Sequence, residues 1–172
     1  METVLAALPT NVVSAPDGIE LLGRKPPAVE PDGAIISVLL VSPFLDDQES
    51  LEQFLRPPKW SIYRASRFKS AMAVLELERP ALVLCERDLG QETWKDVLAQ
   101  TMLMLHSPLI IVTSRLADEH LWAEALNLGA YDVLAKPFDA TEVTRSLSLA
   151  WVHWSIHNDA AQWPARFKPA GA

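Results

Sequence analysis

The sequence predicts an α/β protein built on a doubly wound, five-stranded parallel sheet with five helices. Three observations predict it: apolar runs of strand length recur along the chain, they alternate with segments of helical periodicity, and they are apolar nearly throughout rather than at every second position. Such strands need cover on both faces, which a parallel sheet between two helical layers provides. The 172 residues, 49% of them hydrophobic, suffice for one such domain with flanking segments.

Residues 1–35 hold Pro9, Pro16, Pro26, Pro27 and Pro31 without sustained periodicity, and a disordered leader is expected there. The alternative is that "VLAAL" packs on the domain as a short helix. From Ile35 the text changes to "IISVLLV", a β-branched run expected to be the first strand of a domain spanning 36–157. "DDQESLEQFL" then sets Leu51, Phe54 and Leu55 on one helical face, with Asp46 and Asp47 near the start, where carboxylates suit the helix dipole. Pro57 and Pro58 end that helix.

"WSIYRAS" is a second strand with poorer alternation, and Phe68, Ala71, Met72 and Leu75 mark a second helix that reaches Arg79 before Pro80. "ALVLCE" is the third strand. The stripe Trp94, Val97, Leu98, Met102 and Leu105 predicts a third helix through "ETWKDVLAQTMLML". "PLIIVTS" is the fourth strand, and "ADEHLWAEALNLG" is a helix closed by Gly129, suited to a left-handed cap. "YDVLA" is the fifth strand. The last helix opens at Asp139 with Glu142 in capping-box spacing and runs to about His157, with Val143, Leu147, Ala150, Trp151 and Trp154 on one face. Residues 158–172 are expected to be a C-terminal tail.

Composition narrows the function classes. Net charge is −7 with no basic cluster, which disfavours nucleic acid as a partner. The single cysteine, Cys85, sits inside an apolar run, so neither a disulfide framework nor zinc-ligand spacing is present. Neither a signal peptide nor a membrane-spanning run is legible, and a cytoplasmic location without membrane contact is expected. His106, His120, His153 and His157 share no spacing with one another or with a nucleophile, so no catalytic or metal role is read into them.

In a doubly wound sheet, chemistry gathers beyond the carboxyl ends of the strands. Those positions hold Ser42 and Pro43 after the first strand, Glu86 after the third, Thr113 and Ser114 after the fourth, and Lys136 with Pro137 after the fifth. A carboxylate, a hydroxyl and an ammonium should therefore converge on one edge.

Order, spacing and the fragments "LVLCERDLG", "LIIVTS" and "GAYDVLAKPFD" together resemble the receiver domain of two-component response regulators, a CheY-like, flavodoxin-like fold, over roughly residues 36–157. "GAYDVLAKPF" is the most specific part. In that family an acidic pair after the first strand and an aspartate after the third bind Mg²⁺, and the aspartate accepts a phosphoryl group from a histidine kinase. The resemblance puts Glu86 at the phosphoacceptor position, Thr113 and Lys136 at the positions that hold the phosphoryl oxygens, and Pro137 at that of the cis-proline. Ser42 and Pro43 fall on the acidic pair, and Val133 on the aromatic switch position.

These departures imply a degenerate receiver. Mg²⁺ is usually held through one or two carboxylates, so binding is expected to be weak or absent and no other cofactor is implied. Glu extends the carboxylate by about 1.5 Å, against a tolerance of about 1 Å in reactive placement. With the neighbouring acids gone, Glu86 is free to pair with Lys136, with Thr113 donating to it. The resulting expectation is a stand-alone, non-enzymatic pseudo-receiver with no attached output domain. It would act independently of phosphorylation by contact with a histidine kinase, a downstream target or itself.

The face formed by the fourth helix, fifth strand and fifth helix is the expected output face, with Trp122, Trp151 or Trp154 as an anchor. The bland reading of those tryptophans is a core stripe, and that of Glu86 is a structural ion pair. Cys85 reads as core. Two competing functions stay open. One is a phosphorylatable single-domain regulator using a non-standard acceptor such as Asp88, which otherwise reads as a solvated loop acid. The other, a small α/β enzyme, lacks the glycine-rich phosphate loop and the nucleophile-plus-base pairing it would need.

Overall fold

Side chains along a strand alternate between its two faces, so each fully apolar strand feeds two cores. A computed structural model describes residues 34–166. Their elements run β1 (Ile36–Val41), α1 (Leu45–Phe54), β2 (Trp60–Ala65), α2 (Phe68–Glu78), β3 (Leu82–Glu86), α3 (Trp94–Thr101), β4 (Leu109–Ser114), α4 (Glu119–Leu128), β5 (Asp132–Ala135) and α5 (Ala140–Arg166). The strands form one parallel sheet in the order β2-β1-β3-β4-β5. This is the doubly wound α/β fold that the alternating pattern predicts.

One core joins Val38, Leu40, Leu82, Leu84, Ile111 and Leu134 of the sheet to Leu51 and Leu55 at α1 and to Val143, Leu147 and Ala150 of α5. The other takes the intervening residues, Leu39, Val83, Cys85, Val112 and Val133, against apolar residues of α2, α3 and α4. The poor alternation of β2 follows from its place at the sheet edge, where Ser61, Ile62 and Tyr63 are half-buried and Arg64 is exposed. Gly129 closes α4 at φ 107°, in the left-handed region. Asp139 accepts from the Glu142 amide, 2.9 Å away, as α5 begins.

Two helices depart from expectation. The third stops at Thr101 rather than continuing through Leu105, and Met102 and Leu105 of the expected stripe are exposed. Short-range bonds tighten the chain there: Thr101 Oγ1 donates to the Leu98 carbonyl, and the Leu103 and Met104 amides reach back three residues. The fifth helix, expected to end at His157, extends to Arg166. Ala160, Ala161 and Gln162 are strong helix formers, and the residues expected as tail carry no breaker before Pro164. The leader expected over residues 1–35 lies outside the described residues apart from its last two, as does the end of the tail. Among the described residues no helix is long and apolar enough to cross a membrane.

Candidate functional site

The same two-residue alternation that builds the α1/α5 core aims the strand-end residues. Glu86 follows Leu82 and Leu84 in phase, Thr113 follows Ile111, Lys136 follows Leu134, and Ser42 follows Val38 and Leu40. All four therefore end on the layer that α1 covers. Register brings them level, because Glu86 pairs with Thr113 across β3 and β4, and the Lys136 amide donates to the Ser114 carbonyl at 3.0 Å. The Lys136–Pro137 peptide bond is cis.

Lys136 is the centre of the site. Its ammonium forms ion pairs with Glu86 and, at 2.5 Å, with Asp47. Ser42 Oγ donates to the same Asp47 oxygen at 2.5 Å, and Thr113 Oγ1 makes a long 3.4 Å bond to Glu86 Oε2. Lys136, Glu86, Asp47, Thr113 and Ser42 are all buried. The Phe44 ring lies 4.9 Å and the Phe138 ring 5.8 Å from the ammonium, so two π-faces complete its surroundings. A cleft of about 300 Å³ opens beside it, with Arg115 on its rim.

Asp47 is the residue that sequence reasoning misplaced. Read as a helix N-terminal charge, it is instead a buried member of the cluster, while its neighbour Asp46 is exposed. A signal was available: Asp47 precedes Leu51 by four residues and Leu55 by eight, so it shares their inward stripe. A carboxylate on a core stripe requires a cationic or donor partner.

The other expected residues sit apart from Lys136. Asp88 is exposed, and its carboxylate is engaged at 2.7 Å by Arg87. Pro43 is exposed. Val133 and Cys85 point into the opposite core, and burial, with Glu86 adding to it, pushes the Cys85 thiol far above its ordinary range. The three tryptophans differ in their surroundings. Trp151 and Trp154 stack at 5.4 Å against the α1/α5 core, and the Trp154 indole donates to the Ser107 carbonyl at 3.1 Å. Trp122 stands on α4, 37% exposed.

A Mg²⁺ ion, which the receiver resemblance implies, does not fit these residues. Ser42 and Pro43 supply no carboxylate, and the Lys136 ammonium already occupies the space between Asp47 and Glu86. Among the described residues no group of three or more His, Cys, Asp or Glu side chains is placed to hold a metal.

Comparison with known proteins agrees with the fold. Residues 38–148 match the response regulator receiver domain family. Transcriptional regulatory protein CrdR of Helicobacter pylori is 30% identical over 97 residues, which are 55% of this chain and 45% of that protein. The chain thus spans less than half the length of this curated relative. Among solved structures, the signal receiver domain of an HD domain-containing protein from Pseudomonas fluorescens Pf-5 is 27% identical with a TM-score of 0.64, covering 71% of this chain and 98% of that one. A CheY-like response regulator receiver domain protein from Methanospirillum hungatei JF-1 superposes with a TM-score of 0.64 at 18% identity, covering 72% and 99%. At that identity the likeness speaks for the fold alone.

Proposed function

We propose, from the premise that this chain belongs to the response regulator receiver domain family of two-component signalling, that its switch site is closed from within and that it signals by protein–protein contact without phosphorylation. The observation that carries the reading is the double engagement of Lys136 by Asp47 and Glu86. A phosphoryl group brings a charge of about −1.5 to −2. Here it would enter a buried site in which two carboxylates already outnumber the one ammonium. Glu86, longer than the family's aspartate, stands as an internal substitute for that charge, and Asp47 holds the lysine from the other side.

The output follows from the same reading. Val133 has no aromatic ring to swing between states, and its small side chain stays within the core. Trp122 and Leu126 on α4, with Leu149 and Ile156 on α5, are exposed apolar side chains on the helices that flank the edge strand β5. They suit contact with a kinase, a downstream protein or a second copy. A cytoplasmic setting, where such partners reside, accords with a lone buried thiol.

The test is incubation of the full chain with Mg²⁺ and a small acyl phosphate, read by intact mass. No adduct is expected on Glu86 or Asp88. A labile, Mg²⁺-dependent phosphoryl adduct would overturn the reading.

A further inference from the structure

The end of the sheet opposite Lys136 carries a second recess, a cleft of about 420 Å³. It lies where the α3–β4 connection and the segment preceding β5 meet the later part of α5, and three of the chain's four histidines, His106, His153 and His157, line it. Its walls are apolar and aromatic: Leu105, Leu109, Tyr131 and Trp154. Among the described residues the lining contains no Lys, Arg, Asp or Glu.

Hydrogen bonding fixes the chemistry that two of these histidines present. The Asn158 amide nitrogen donates to the Trp154 carbonyl at 2.9 Å, which turns Asn158 Oδ1 toward His106. His106 Nδ1, 2.6 Å from that oxygen, must then carry the proton. His157 Nδ1 lies 2.9 Å from the His153 carbonyl and must likewise be the donor. Whenever either ring is neutral, its Nε2 is then the acceptor that remains. The His153 ring is held edge-on to Tyr131 at 5.3 Å, which fixes that wall.

We infer that this cleft binds a small, neutral, planar aromatic molecule of one or two rings that carries O–H or N–H donors. Apolar walls with Trp154 and Tyr131 suit an aromatic body, the volume falls within the range of small-ligand sites, and Nε2 acceptors on the neutral histidine rings favour donors on the ligand. The described lining offers no Lys, Arg, Asp or Glu to pair with a strongly ionic one. The inference is independent of the state of Lys136, which lies beyond the other ends of the strands.

The probe is 2,3-dihydroxynaphthalene, with 2,3-dimethoxynaphthalene as the same shape without donors. Both are titrated into the full chain in buffer containing EDTA and followed by calorimetry and histidine ¹⁵N shifts. Saturable binding of the diol is expected, with Nε2 shifts at His106 and His157 and at least tenfold weaker binding of the dimethoxy compound. His106→Leu and His157→Leu should each weaken the diol about 2- to 10-fold, one ordinary hydrogen bond, and leave the dimethoxy compound unaffected. Both histidines are exposed, so the variants should keep the wild-type melting curve. Failure of the diol to saturate, equal affinities for the two compounds, or undiminished binding in both variants would overturn the inference. So would Zn²⁺ binding, measured without EDTA, that needs both histidines while the diol does not bind.

Discussion

Lys136 Nζ lies 2.5 Å from Asp47 Oδ2 while pairing with Glu86, so one side chain at the end of β5 ties α1 to β3. Three ionic groups share one buried site, and removing the central one is more damaging than removing either flank. Lys136→Met leaves two buried carboxylates without their cation and should cost about 3–5 kcal/mol in urea unfolding. Adding Asp47→Asn and Glu86→Gln to that variant should restore most of the loss. A single-variant loss below about 1 kcal/mol would show that the carboxylates find other partners.

Asp46 and Asp47 separate a surface charge from a core one. Asp47→Ala strips the Ser42 and Lys136 bonds and should cost about 1.5–3 kcal/mol, whereas Asp46→Ala, at an exposed position, should stay within about 0.5 kcal/mol. Equal effects in denaturant titrations would return both residues to a helix-dipole role.

Cys85 supplies a pH dependence. Its thiol is raised in the folded state, so the unfolded chain loses this proton first as pH rises. The stability due to the neutral thiol is complete below the ordinary value of 9.0 and declines above it, toward about 1.4 kcal/mol per pH unit. Denaturation curves above that value should therefore be steeper in pH for the wild type than for Cys85→Ala, and the native thiol should resist a disulfide reagent.

Trp154 and Trp122 should respond differently to truncation. Trp154→Phe gives up the bond to Ser107 and part of the stack on Trp151, and should lower stability by about 1–2 kcal/mol. Trp122→Ser should cost less in melting experiments and act instead on association with partners.

Gly129 caps α4 in a conformation costly for any other residue. Gly129→Ala should destabilise by about 1–2 kcal/mol, since φ is 107° and the new Cβ would meet Met102 Cε at 2.9 Å. The methionine tip can swing aside, so Met102→Ala should recover little of the loss in the double variant.

The strands and their ends were legible because period-two alternation and proline punctuation are local signals. That Glu86, Thr113 and Lys136 meet follows from their phase with Leu84, Ile111 and Leu134. Asp47 was missed because its charge was read before its position on the Leu51 stripe. The α3 stripe was overextended because Met102 and Leu105 keep helical spacing after the backbone has tightened at Thr101. For the histidine cleft the only linear signal was the four-residue spacing of His153 and His157 on α5, which sequence reading passed over. His106 lies in a connection and His153 and His157 on a helix, and only the chain's return past β4 brings them together.

The position of β4 has a consequence for how the two recesses relate. It carries Leu109 at the histidine cleft and Thr113 near Lys136, about 13 Å apart along a strand. It is also laddered to β3 on one side and β5 on the other. A strand held in two ladders cannot slide by a fraction of a residue, and a full slip would invert its faces in both cores. Sliding of β4 is therefore closed as a route by which one end could report on the other. A rod fixed in this way keeps the distance between its two ends constant, so the cleft and the Lys136 cluster hold one spacing along β4.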